Sequence, residues 1–152
     1  MTKYYNAMVV FEETPDEITL AINITNCPCR CPGCHSKFLW GDIGDELTNE
    51  ECSKLVEKNK GVTCVCFMGG DANPEEINDL AVYVKNNLGL KPAWYSGMDE
   101  MSDKIDANNF SYIKIGRYDE KYGPLNVKTT NQKLYKVSNG ELNDITERFW
   151  KR

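Results

Sequence analysis

The chain has 152 residues, the length of one domain, and that suffices to bury a core without staples. Hydrophobic residues make up 41% and charged residues 27%, the proportions of an ordinary globular protein rather than a low-complexity one. Lys and Arg number 18 against 23 Asp and Glu, and the net charge of −5 argues against a general nucleic-acid or anionic-membrane binder.

Residues 4–11 and 18–25 read as strands. In the second, Ile18, Leu20, Ile22 and Ile24 alternate with Thr19, Ala21, Asn23 and Thr25. Residues 12–16, with Pro15, form the turn between them. The second strand runs into a cysteine loop at 26–35. Thr48 and Glu51 form a capping box that starts a helix, and Gly61 marks its stop. Residues 62–68 are a nearly continuous apolar run, which suits a strand covered on both faces. Gly69-Gly70-Asp71 follows. Asn73 and Pro74 then open a helix whose apolar stripe is Ile77, Leu80, Ala81, Val84 and Leu88, ended by Gly89.

Residues 92–96 and 110–115 read as two further strands, with a short helical connector at 98–105. Residues 134–137 suggest a last strand, and Asn139-Gly140 a tight turn. Residues 144–150 fit helix or strand equally. From Ile18 onward strands and helices alternate, which predicts a parallel α/β fold. The chain is too short for eight βα units, so an open sheet or a compact partial barrel is expected.

Cysteine is the compositional anomaly. There are seven, an odd number, and four lie in Cys27-Pro28-Cys29-Arg30-Cys31-Pro32-Gly33-Cys34. This does not read as a disulfide framework. No signal pattern or membrane span is recognised, so a reducing cytoplasm and no membrane partner are expected. Clustered cysteines there point to metal or redox chemistry. Two triads are available: Cys27/Cys31/Cys34 and Cys29/Cys31/Cys34. Either can wrap one face of an iron–sulfur cubane and leave one iron open. Structural zinc on Cys27, Cys31, Cys34 and His35 is a competing reading, as is a redox pair at Cys31 and Cys34.

The C-x3-C-x2-C spacing after an early strand, followed by Gly69-Gly70-Asp71 at the end of the next, resembles the radical S-adenosylmethionine (SAM) superfamily. Cys31-Pro32-Gly33-Cys34-His35, Phe38-Leu39-Trp40, Phe67-Met68-Gly69-Gly70-Asp71, Tyr95-Ser96-Gly97 and Thr129-Thr130-Asn131-Gln132-Lys133 narrow the likeness. They are similar to the small glycyl-radical activating enzymes of anaerobic ribonucleoside-triphosphate reductase. The resemblance implies a single radical SAM domain over 1–152, folded as an incomplete parallel β/α barrel. It implies a [4Fe-4S] cluster on Cys27, Cys31 and Cys34, and SAM on its open iron. Reductive cleavage would give a 5′-deoxyadenosyl radical that takes a hydrogen from a glycine of the partner reductase.

The implied partners are that reductase and a low-potential electron donor such as flavodoxin. Cluster and SAM carry the chemistry, so no catalytic side chain is expected. Gly69 and Gly70 allow close backbone approach to the methionine ammonium. Asp71 replaces the superfamily's usual Glu and is read as support behind that contact. Ser96 can hydrogen-bond the methionine carboxylate, and Asn131 can reach the ribose or the partner. Lys114, between Ile113 and Ile115, reads as facing solvent. His35 is assigned to loop packing, and Cys64 and Cys66 to the core. Two rivals stay open: another small radical SAM enzyme, such as a pyruvate formate-lyase-type activase or a modified-base enzyme, and a non-catalytic zinc or iron–sulfur binding module.

Overall fold

The structure is a computed structural model, and it describes residues 2–10, 17–25, 44–71, 73–98, 103–116, 132–138 and 141–146. Two strands open the chain, β1 (Lys3–Val10) and β2 (Thr19–Ile24), paired antiparallel. A two-residue strand, β3 (Asp45–Glu46), pairs antiparallel with the start of β1. Helix α1 (Asn49–Lys58) follows its cap Thr48, whose hydroxyl accepts from the Glu51 N–H at 3.1 Å. The expected capping box is half formed, because the Glu51 carboxylate turns instead to the Tyr4 hydroxyl at 3.2 Å. Glu50 and Glu51 in the first turn and Lys58 in the last suit the helix dipole.

Strand β4 (Cys64–Met68) leads to α2 (Pro74–Tyr83), which starts on Pro74 as the sequence predicts. The helix widens into a π turn at Val84–Leu88 and ends at Gly89, whose φ is +67°. Then come β5 (Lys91–Tyr95), β6 (Tyr112–Ile115), β7 (Lys133–Ser138) and β8 (Glu141–Asp144). Ser138 pairs with Glu141, so the last hairpin has a two-residue connection; Asn139 and Gly140 lie outside the described residues. Of the undecided stretch 144–150, Asp144 ends β8 and residues 147–150 lie outside the described residues.

The eight strands of the described residues form one sheet in the order β3-β1-β2-β4-β5-β6-β7-β8. Strands β2, β4, β5 and β6 are parallel, and the pairs flanking them are antiparallel. This corrects the expected incomplete parallel β/α barrel: the sheet is open and mixed. Two features explain the difference. Strand β7 is only partly covered, with Leu134 buried but Lys133, Lys136 and Ser138 exposed, which suits an antiparallel strand rather than a parallel one covered on both faces. The connector between β5 and β6 was expected to be helical over 98–105. Among the described residues it is a turn at 103–105 and a 3-10 turn at Ala107–Asn109. There the Asp106 side chain accepts from the Asn108 N–H at 3.0 Å, a local bond that competes with helix.

One face of the sheet carries Leu20, Ile22, Ile24, Val65, Phe67, Trp94 and Ile113. It packs against Cys52 and Leu55 of α1 and Ile77, Leu80 and Ala81 of α2. Each large side chain buried this way contributes roughly 1.5–3 kcal/mol. The opposite face is built of Cys64, Cys66, Ala93, Tyr112 and Leu134.

Candidate functional site

Strands β2, β4, β5 and β6 end on one edge of the sheet. Their last paired row is Asn23, Met68, Tyr95 and Lys114. Ligands in parallel sheets collect at such carboxyl ends. The chain leaves β4 through Gly69 and Gly70, with φ of +108° and +93°, a region that favours glycine. The Gly69 N–H donates to the Tyr95 carbonyl at 3.0 Å. Its carbonyl accepts from the buried indole of Trp94 at 2.6 Å. A Cβ on Gly69 would sit 3.4 Å from the Ile24 carbonyl, so this residue lies against the exit of β2. A Cβ on Gly70 would meet Ile77 Cδ1 at 2.5 Å, so the second glycine lets α2 close on the sheet.

Asp71 reaches across to the end of β5. Its carboxylate accepts from the Ser96 hydroxyl at 2.5 Å and from the Gly97 N–H at 2.9 Å. Ser96 Oγ also accepts from the Met98 N–H at 3.1 Å. The support expected of Asp71 is therefore directed at the β5 exit, and the single hydroxyl proton of Ser96 is engaged with Asp71 rather than directed at a ligand.

Lys114 is a residue that the sequence reading placed in solvent. It is 7% exposed. Its ammonium donates to the carbonyls of Ser96 and Gly116, each at 3.0 Å, and lies 5.7 Å from the centre of the Tyr95 ring. Strand alternation alone could not distinguish a wet face from a buried second face. The signal that could have is the position of Lys114 in the last row of a parallel strand, next to Tyr95-Ser96.

The structure thus brings together Gly69, Gly70, Asp71 and Ser96, and adds Lys114. Cys27, Cys29, Cys31, Cys34, His35 and Asn131 lie outside the described residues. Among the described residues, no three His, Cys, Asp or Glu side chains gather as a metal site. Cys52, Cys64 and Cys66 are buried, and burial pushes the Cys52 thiol up to about 12. No helix among the described residues is long and apolar enough to cross a membrane.

The opposite edge of the sheet holds a second polar cluster. Glu17, 8% exposed, accepts from the Thr63 hydroxyl at 2.7 Å, the Lys91 ammonium at 2.8 Å and the Tyr112 hydroxyl at 3.0 Å. It ties together the starts of β4, β5 and β6. Burial works to raise its carboxyl. The hydrogen bonds from Lys91, Thr63 and Tyr112, with the Lys91 charge, outweigh that and hold it below its ordinary value of 4.5.

Comparison with protein-family models, with curated proteins and with solved structures finds no match.

Proposed function

We propose that this chain is a cytoplasmic radical SAM enzyme that installs the glycyl radical of an anaerobic ribonucleotide reductase. The observation that carries this reading is the parallel register of β2 and β4, with Ile22 beside Phe67 and Asn23 beside Met68. The Gly69-Gly70-Asp71 turn and the exit of β2 are therefore neighbours. That exit, Thr25, precedes Cys27 by two residues. The donor set suits the group: thiolates are the usual protein ligands of iron–sulfur clusters, and the half-buried Gly69 lies against the exit of β2 that leads to them.

A [4Fe-4S] cluster held by Cys27, Cys31 and Cys34 would supply the electron that cleaves SAM to methionine and a 5′-deoxyadenosyl radical, which takes hydrogen from a glycine Cα of the reductase. The chain's own part is to bind and orient. The Gly69 carbonyl accepts from Trp94 and keeps a second lone pair for a ligand ammonium. The Ser96 hydroxyl oxygen is fixed by Asp71 and the Met98 N–H. Such a turn is ordered before ligand arrives, which reduces the entropy cost of binding. Asn131 is assigned to the ribose or the partner by resemblance alone.

The test is anaerobic reconstitution with iron and sulfide, reduction, and mixing with SAM and the reductase. A glycyl-radical signal in electron paramagnetic resonance is expected with the wild type and not with Cys27→Ala. SAM cleavage without any radical on the reductase makes this a different radical SAM enzyme. Metal binding without SAM cleavage makes it a binding module.

A further inference from the structure

Three polar groups of Ser96 are held from two sides. On the β4 side, Asp71 takes its hydroxyl proton and the neighbouring Gly97 N–H. On the β6 side, the Ser96 N–H donates to the Lys114 carbonyl at 2.9 Å and the Ser96 carbonyl accepts from the Lys114 ammonium at 3.0 Å. The same ammonium holds the Gly116 carbonyl, which also accepts from Gln132 Nε2 at 3.3 Å. The Gly116 N–H in turn donates to the Met98 carbonyl at 2.7 Å. Residues 96–98 are thus held between the Asp71 carboxylate just beyond β4 and the Lys114 ammonium in the last paired row of β6.

A lysine is an expensive residue to bury, and hydrophobic packing needs no charge here. What the ammonium provides is several donors radiating from one point, enough to reach carbonyls on two strands. We infer that Lys114 and Asp71 are positioning residues of the candidate site: together they brace residues 96–98 in the conformation that receives the ligand. The inference rests on the reading that this edge binds SAM. Neither residue is assigned a contact with the reacting atoms. They act through Ser96, Gly97 and Met98, and Met98 stands 47% exposed at the tip of the braced turn.

The experiment uses the full chain as wild type, Lys114→Met, Lys114→Arg and Asp71→Asn. The first readout needs no SAM: hydrogen exchange at the Gly97 and Met98 amides. The second is KM and kcat for SAM cleavage by the reconstituted, reduced protein. Lys114→Met keeps the stem and removes the charge. It is expected to speed exchange at both amides about tenfold, the equivalent of about 1.4 kcal/mol. Amides of the β1–β2 hairpin should be unaffected. KM for SAM should rise about tenfold while kcat changes less than threefold, because pre-ordering is lost and not the chemistry.

Asp71→Asn should move the same amides and KM in the same direction. Lys114→Arg, which keeps charge and donors, should recover most of the wild-type KM. Unchanged exchange and unchanged KM in Lys114→Met overturn the inference. Loss of the fold in Lys114→Met makes the residue structural and overturns it equally. A wild type that cleaves no SAM defeats the functional reading instead, and the exchange data still decide whether the brace exists.

Discussion

The Ser96 hydroxyl donates to the Asp71 carboxylate across the ends of β4 and β5, at 2.5 Å. This one bond joins two motifs that are 25 residues apart in the chain. Hydrogen bonds to a charged acceptor contribute more than neutral ones, roughly 1.5–3 kcal/mol. Ser96→Ala is expected to lower stability in urea by about 1–2 kcal/mol, with Asp71→Asn similar. The double variant should fall short of the sum of the two, because both remove one interaction. Additive losses would show that the two side chains act independently.

Gly70 and Gly61 offer a contrast. Both have positive φ, +93° and +97°. A Cβ on Gly61 meets nothing within 4 Å, while one on Gly70 strikes Ile77 at 2.5 Å. Gly61→Ala should therefore cost only backbone strain, about 1 kcal/mol. Gly70→Ala adds overpacking and should cost about 2–4 kcal/mol in all. Shortening Ile77 to Val in the Gly70→Ala background should recover part of that loss. Equal melting temperatures for the two alanine variants would contradict the packing role of Gly70.

Glu17 predicts a pH dependence of known sign. Its carboxyl is held below 4.5 in the folded chain. Its contribution is therefore fully present above that value and is lost as pH falls through the lower, folded value. Glu17→Gln should cost about 1–3 kcal/mol at pH 7. The gap between wild type and variant, followed by urea unfolding, should shrink as pH drops below about 4.5. Lys91 is more than half exposed, so salt should weaken only the part of the gap that it supplies. A gap constant from pH 7 to pH 3 would contradict the assignment.

The buried thiols give a chemical test of the core. Cys52, Cys64 and Cys66 are each 0% exposed. Thiolate is the reactive form, and burial suppresses it at Cys52. Maleimide labelling followed by peptide mass spectrometry should leave all three unmodified in the native protein and label them after unfolding. Native labelling of Cys64 or Cys66 would mean that the face they share with Ala93, Tyr112 and Leu134 is open to solvent.

The local elements were largely legible because local signals dominate them. Thr48 and Pro74 start their helices, Gly89 ends the second, and the alternation from Thr19 to Ile24 gives a strand. The antiparallel direction of β7 was not legible, because it depends on how segments meet. β7 carries an ordinary strand pattern that does not state whether its neighbours run parallel. β3 is two residues long, below what periodicity can register. At the site, the glycine turn, Asp71 and Ser96 were found from their motif. Lys114 was missed because a lysine between two isoleucines looks the same whether its face is wet or covered.

The proposed SAM cleavage would take place at the edge formed by β2 and β4. It is tested most directly by reconstituting the chain without oxygen, reducing it, adding SAM and measuring 5′-deoxyadenosine. 5′-Deoxyadenosine and methionine are expected in equal amounts from the wild type, with none from Cys27→Ala and less from Asp71→Asn at limiting SAM. A fully loaded, reduced cluster that produces no 5′-deoxyadenosine would contradict the proposal.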